Sequence, residues 1–488
     1  MFIDVNNYKY LDCDSDMINA AIADAARTGS MVVISKVNER TGKDVWDITK
    51  TIVLPSNTML IFNNCHLRLG DGAVCRMFVN ENYDLPLTKE NMQQNITIKG
   101  IGNALLDGGI HNGIYEKNGI VRKVPQKSEH HATNNCMMYF KNVENLVVEG
   151  LHIKNQRYWG LALCMVSYSR VSNMRFSSES NVPNQDGIDI LVGCHDMIVE
   201  NVSGCVGDNL IAVCAITVTD NYDSITDRSI GDIRNITIRN VMGYGVGGCA
   251  LIRLLNHDGY KLYNVRIDNV IETSPWSDQD AGVAQNPDLL IKTDENGNII
   301  PWKKIIPGEC GYRIEAAILI GESYWYSKSK AQPGDTFGIS VSNVMTHSRF
   351  AVWINNTLKD SSFENIRLFG NGYMAAYFGE GEVENLRFSN ISYDRDCKPL
   401  KDDEHIWIEW NKTKADGLSC VYFNGTQVKN VSFRNLNCAG GMESVFGGFG
   451  SGNVICKDVA HEQIGMFSNA DGIEVIVVYE ENRLYIAH

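Results

Sequence analysis

The strongest constraint in this chain is a short unit that returns from residue 95 onward. It reads Asn95-Ile-Thr-Ile-Lys-Gly-Ile first, then Asn145-Leu-Val-Val-Glu-Gly-Leu and Asp196-Met-Ile-Val-Glu-Asn-Val. Further copies are Asn235-Ile-Thr-Ile-Arg-Asn-Val, Asn264-Val-Arg-Ile-Asp-Asn-Val and Gly338-Ile-Ser-Val-Ser-Asn-Val. Late copies begin at Asn365, Asn385 and Asn430, and a degenerate one runs from Arg170 to Met174. Intervals between neighbouring copies include 39, 29, 27 and 20 residues. Apolar and polar residues alternate within each copy, so one face of a short strand is buried. The closing Asn or Gly tolerates left-handed backbone geometry and turns the chain. A five-residue strand cannot bury itself, but stacked copies make a continuous core. Between the copies there is no helical pattern, which excludes a doubly wound α/β fold. The LxxLxL signature of leucine-rich repeats is missing. The expectation is an all-β, single-stranded right-handed parallel β-helix.

Length fits that architecture. A chain of 488 residues would otherwise be split into two or three domains, but a solenoid holds it as one. Residues 1–70 are expected to form an N-terminal cap and the first coils. Residues 95–440 form the repeated coils, and 441–488 the last coils or cap. Ser15 to Arg27 reads as an amphipathic helix, with Ser15 or Asp16 as its cap, a stripe of Met17, Ile18, Ala21, Ile22 and Ala25, and Gly29 as its stop. Such a helix covers an otherwise exposed end of the core. Strands are expected at Met31–Ser35, Thr51–Leu54, Thr58–Phe62 and His66–Leu69. Three insertions, at about 107–135, 217–231 and 271–312, interrupt the rhythm and map to loops flanking a binding face. They carry His130, His131, Trp276 and Trp302.

A net charge of −14 leaves no basic face for nucleic acid or an anionic membrane. The 14 Cys form no CxxC pair and mostly sit in apolar runs, so they read as free thiols of a reducing compartment. The opening Met1-Phe-Ile-Asp-Val-Asn has neither a basic n-region nor an apolar h-region, and the chain is expected to be cytoplasmic. No run approaches the ~18 apolar residues of a membrane span. His and Cys lack ligand spacing, so no metal and no cofactor is expected. The open ends of a solenoid permit a homo-oligomer.

Chemistry concentrates between residues 184 and 213. There Asn184-Gln185-Asp186-Gly187-Ile188-Asp189 is followed, 22 residues after Asp186, by Gly207-Asp208-Asn209. That spacing is one coil, which would set Asp186 above or below Asp208 on the same wall. Two carboxylates side by side are what general acid–base chemistry requires. One coil earlier, Asn155-Gln156-Arg157-Tyr158-Trp159-Gly160 offers Tyr158 and Trp159 as a face on which a sugar can stack.

These motifs resemble the polygalacturonase family, glycoside hydrolase family 28, within the pectin-lyase-like β-helices. That family carries Asn-Thr-Asp-Gly-x-Asp on one coil, Gly-Asp-Asp on the next, then Gly-His-Gly and Arg-Ile-Lys. The resemblance covers the opening helix, the Gly108-Gly109 region and the coils to about residue 270. It implies that Asp186 activates the attacking water and that Asp208 is the general acid. Asp189 would be either a third catalytic carboxyl or a group that orients Asp186. Asn184, Gln185 and Asn209 would line the substrate site. Asn209 replaces the family's second Asp, Gly243-Tyr244-Gly245 or Gly247-Gly248 stands near the place of Gly-His-Gly, and Arg253 is the stand-in for the missing Arg-Ile-Lys. His257-Asp258, Glu315, Glu322, His347 and Arg349 are further candidates, His257 for binding.

Loss of the basic motif removes the groups that would hold a uronate. The expectation is a glycosidase of altered specificity, inverting, acting on an oligosaccharide or polysaccharide of plant or microbial origin. Two alternatives remain open: a polysaccharide lyase on the same fold, and an inactive carbohydrate-binding β-helix protein.

Overall fold

The computed structural model describes residues 1–109, 112, 116–117, 120–121, 136–178, 184–216, 228–245, 250–273, 291–293, 299–301, 316–321, 330–370, 372–395, 405–408, 413–416, 419–478 and 484–487. The three insertions lie almost entirely outside these residues. So do His130, His131, Gly247, Gly248, Trp276, Trp302, Glu315 and Glu322.

The repeated unit winds into a right-handed parallel β-helix whose 27 strands form one ladder. Each coil pairs in parallel with the coil before and after it. Ile188–Leu191 lies between Leu161–Ser177 and Ile211–Ala215, and His195–Val206 pairs with Ile233–Gly245. Alternate residues point inward, where Ile188, Ile190, Ile211, Val213, Ile252 and Leu254 are fully buried. Rings stack along the axis inside the later coils: Phe363 on Phe388 at 4.5 Å, and Phe388 on Phe433 at 4.7 Å. Like residues recur at like positions because each coil presents the same hole to its neighbour.

Left-handed residues frame the unit in pairs five apart. Asp196 and Asn201, Asn235 and Asn240, Asn264 and Asn269, Asp360 and Asn365, Asn385 and Asn390, and Asn430 and Asn435 all have φ between 48° and 57°. Their side chains then bond from coil to coil. Asn201 donates to Asn173 at 3.0 Å, Asn240 to Asn201 at 2.9 Å and Asn269 to Asn240 at 2.9 Å. Asparagine meets both demands at once, since it tolerates this backbone region and carries a donor and an acceptor. One copy is re-registered by this pattern. Asn365 lies beside Asn343 and closes a unit that opens at Asp360, rather than opening its own. Both ends of the unit accept Asn, so the sequence pattern matches in either register.

The helix spans Asp14–Thr28, ends at Gly29 with φ 65°, and buries Met17, Ile18, Ala21, Ile22 and Ala25 against the first coils. Its start differs from expectation. Cys13 is the N-cap and makes no side-chain cap bond. Ser15 instead accepts from the backbone N–H of Thr49 at 2.9 Å, and Asp14 accepts from Arg40 and from the N–H of Asp47. These side chains tie the cap to the coils rather than to the helix's own first turn. Strands form at Met31–Ile34, Ile52–Leu54, Met59–Asn63 and His66–Leu69, with Phe2–Asp4 and Val45–Ile48 in addition. The cysteines among the described residues are unbridged.

Candidate active site

Asp189 sits between two inward isoleucines, Ile188 and Ile190, so its carboxyl stands on the outer face of the sheet. Its register partners are Ala162 on the coil before and Ala212 on the coil after, and Arg253 follows one coil beyond Ala212. The same outer row continues through Leu319, Trp353 and Tyr377 to Tyr422. Arg253 is therefore two coils from Asp189, in line with it.

Asp186 and Asp208 belong to the turn that leads into this sheet. Extending the pairing of Ile188 with Ile211 back by two places sets Asp186 opposite Asn209, not Asp208. The expected one-over-one stack of the two carboxylates is thus offset by a residue. Asn209 closes the gap: its side-chain amide donates to Asp186 Oδ2 at 3.0 Å and to Asp208 Oδ1 at 2.8 Å. Its backbone N–H also donates to Asp186 Oδ2, at 3.3 Å, and its Oδ1 accepts from the N–H of Ala250 at 3.1 Å. With one nitrogen shared, the two carboxylate oxygens lie within about 6 Å of each other. Trp159 holds the corresponding place one coil below Asp186, 8% exposed, with its ring 4.8 Å from that of Tyr158.

The glycines beside the two acids are there for close approach. Neither Gly187 nor Gly207 has positive φ. A Cβ on Gly187 would lie 2.5 Å from the carbonyl oxygen of Leu210, and one on Gly207 would lie 2.7 Å from Gln185 Oε1. Coils stacked about 4.8 Å apart leave no room there. Beneath the acids, Gln156 Nε2 donates to the backbone oxygens of Gln185 (3.3 Å) and Asp186 (3.1 Å), while Gln185 Nε2 donates to the oxygen of Gln156 at 2.6 Å. Gln156 thereby positions the Asp186 backbone. Sequence reasoning passed over it, although Asn155-Gln156 recurring as Asn184-Gln185 was a visible signal.

Burial sets the electrostatics. Asp186 is 4% exposed, and desolvation pushes its carboxyl up to about 6 against the lowering effect of the Asn209 bonds and of Arg253. Asp189, 3% exposed, is raised well above the usual carboxylate range, first by burial, then by the charges of Asp186 and Asp208. Asp208 is only half-buried.

The remaining candidates divide. Asn184 is half-exposed at the head of the turn, with φ 57°. Gln185 is fully buried and bonded inward, which corrects its expected place in a substrate surface. Tyr158 and Trp159, 1% and 8% exposed, both pack in the main core and are corrected likewise, Trp159 one coil below Asp186. His257 is a correction too. It lies at the far end of the strand Ala250–Asn256, four residues past Arg253, where its N–H donates to the oxygen of Ala215. At about 3.3 Å per residue that is some 13 Å along the sheet. His347 and Arg349 share the turn of Asp208 but lie three coils on, with His347 Nδ1 3.2 Å from the buried Glu272 and Arg349 over the ring of Tyr373. Among the described residues no group of three or more His, Cys, Asp or Glu could hold a metal.

No protein-family profile matches this chain, and no curated protein is detectably similar to it. Its likeness is to solved structures. The tailspike of Escherichia coli bacteriophage HK620, solved with a hexasaccharide, aligns with TM-score 0.55 and 13% identity over 97% of this chain and 80% of the tailspike. The A-module of the Azotobacter vinelandii mannuronan C-5 epimerase AlgE4 aligns with TM-score 0.53 and 11% identity over 97% of this chain and all of the module. An exopolygalacturonase of Thermotoga maritima aligns over the whole of this chain and 95% of its own at 12% identity, but its TM-score of 0.43 is too low to argue from. At these identities the likeness is one of fold: a parallel β-helix.

Proposed function

We propose that the protein is a glycoside hydrolase acting on an oligosaccharide or polysaccharide, with Asp186 and Asp208 as its carboxyl pair. The observation that carries this reading is the shared amide of Asn209, which holds a buried and a half-buried carboxyl side by side on one wall. Glycosidic cleavage needs one carboxyl to protonate the leaving oxygen and another to direct water or attack the sugar. A carbohydrate partner is in keeping with proteins of this fold that are named as a mannuronan C-5 epimerase or solved with a hexasaccharide.

By resemblance, Asp208 is the acid and Asp186 the base of an inverting reaction.

The test is turnover of an oligosaccharide panel by the parent chain and by Asp208→Asn. Loss of at least 1000-fold in kcat with Asp208→Asn supports the reading, and unchanged turnover sinks it. Proton NMR of the first-released anomer separates inversion from retention. An unsaturated product would identify a lyase instead, and binding without turnover a carbohydrate-binding protein.

A further inference from the structure

Away from the acids, the later coils leave an open hollow of about 300 Å³. Asn356 lines it from the turn that leaves the strand Phe350–Ile354, and Glu382 and Gln427, paired in register, line it from the next two coils. Pro333 and Gln427 are exposed at its mouth, and Glu382 and Gly425 are half-exposed. Gly425, left-handed at φ 74°, puts no side chain into the space. The ring edge of Phe449, a residue 50% exposed, stands 3.5 Å from where a Cβ on Gly425 would lie. An aromatic ring so placed offers a flat apolar face at the rim. Deeper in, Asn356 is only 8% exposed. Its Oδ1 accepts from the N–H of Thr357 at 2.8 Å, and among the described residues its Nδ2 has no partner. A buried amide nitrogen without an acceptor is costly unless something else supplies one.

From this geometry we infer that the hollow binds one residue of a neutral sugar, whose hydroxyls donate to the Glu382 carboxylate and accept from Asn356 Nδ2 while its ring face lies on Phe449. The site is separate from the acids and does not depend on the hydrolase reading. Asn356 is three coils on from Asp208 and past the opposite end of a five-residue strand, about 14 Å along the axis and some 16 Å along the sheet. The volume is at the small end for ligand pockets and suits a single ring rather than a chain. Charge decides the class of ring. The described lining carries one carboxylate, Glu382, and no cation, and Glu380 stands just beyond, its Cγ 3.3 Å from the place of a Gly425 Cβ. Lys429 feels Glu382 but is held by Glu384 at 2.8 Å, and Lys330 adjoins Ala331 at the wall without lining the space. A uronate would therefore meet like charge. An ammonium would bring Asn356 Nδ2 only further donors. A hydroxyl both donates and accepts, and so serves both groups.

The test is titration of the full chain with the methyl glycosides of glucose, galactose and mannose, read by saturation-transfer NMR, with methyl glucuronide and methyl glucosaminide as the charged comparisons. Glu382→Ala and Phe449→Ala, whose side chains are not part of the core, are each expected to weaken the best neutral ligand about tenfold. Glu382→Gln, which keeps an acceptor oxygen, weakens it less. Asp208→Asn leaves this binding unchanged. Neutral glycosides that do not bind, a charged glycoside that binds more tightly, or binding unchanged in both Glu382→Ala and Phe449→Ala overturns the inference while leaving the hydrolase reading in place. Binding lost in Asp208→Asn places the sugar at the acids and overturns it too. Unchanged turnover in Asp208→Asn sinks the hydrolase reading and leaves the hollow's role standing.

Discussion

Asn209 donates from a single side-chain nitrogen to Asp186 at 3.0 Å and to Asp208 at 2.8 Å. A carboxylate at this position would place three negative groups in contact. The amide replaces that repulsion with two donated bonds, and so lets one carboxyl ionise next to the other.

Replacing that amide by the carboxylate it resembles has a signed consequence. Asn209→Asp removes the side-chain donor to Asp186, leaves the backbone N–H in place and adds a like charge; the lost bond and the added charge both raise the Asp186 carboxyl above its present value of about 6. The acid limb of kcat/KM is expected to move up by about one pH unit. A pH–rate series on parent and variant checks it; a limb that moves down or stays in place refutes the bridging role.

The parent's own profile assigns the role of Asp186. If its ionised form works, as base or nucleophile, activity rises as pH passes through about 6. If it is the proton donor instead, activity falls through the same range. Measuring kcat/KM from pH 4 to 8 decides between the two.

Stability has its own pH dependence, opposite in sense to activity if the ionised form of Asp186 is the working one. The folded carboxyl of Asp186 holds its proton to a higher pH than the unfolded one, whose ordinary value is 3.8. Folding is therefore favoured at pH below 3.8 and loses stability as pH rises towards 6. Asp186→Asn removes that loss and is expected to stabilise the protein by about 2 kcal/mol at pH 7.5, with little gain near pH 4. Urea unfolding at the two pH values reads the difference, and an Asp186→Asn variant less stable at pH 7.5 contradicts it.

Gly187 links the stacking of coils to the position of Asp186. A Cβ there would lie 2.5 Å from the Leu210 oxygen, so Gly187→Ala must push two coils apart. The expected result is a loss of about 2 kcal/mol or more in stability, together with a fall in turnover as Asp186 shifts from Asn209. Full activity in a stably folded Gly187→Ala variant would show that the contact is not needed.

The asparagine ladder predicts an asymmetric response. Asn240 donates to Asn201 and accepts from Asn269 at 2.9 Å each, with φ 56°. Asn240→Ala loses both bonds and gains left-handed strain, for about 1–3 kcal/mol, whereas Asn240→Gly loses the bonds without the strain and costs less. Equal losses for the two variants would refute the strain.

Much of this architecture was readable because it repeats. The alternation within Asn235-Ile-Thr-Ile-Arg-Asn-Val marks the strand, its buried face and the residue that closes it, and the stack follows from recurrence; that the opening Asn is left-handed too came from the structure. Register was harder: Asn at both ends of the unit made Asn365 look like an opening when it is a closing residue. Individual side chains were harder still. Gln185 adjoins Asp186 in sequence and Tyr158 adjoins Trp159 one coil earlier, yet both are buried, and His257 lies past the far end of the strand that carries Arg253.

The sequence by itself determined the solenoid and the wall that carries Asp186, Asp189 and Asp208, because both follow from local periodicity and from spacing by one coil. Tertiary structure alone decided that Asp186 faces Asn209 rather than Asp208, that Ala162 and Ala212 flank Asp189, and that Arg253 stands in the same row two coils away. Those relations depend on coil-to-coil register. A shift of one residue changes every lateral neighbour while leaving the pattern along each strand the same.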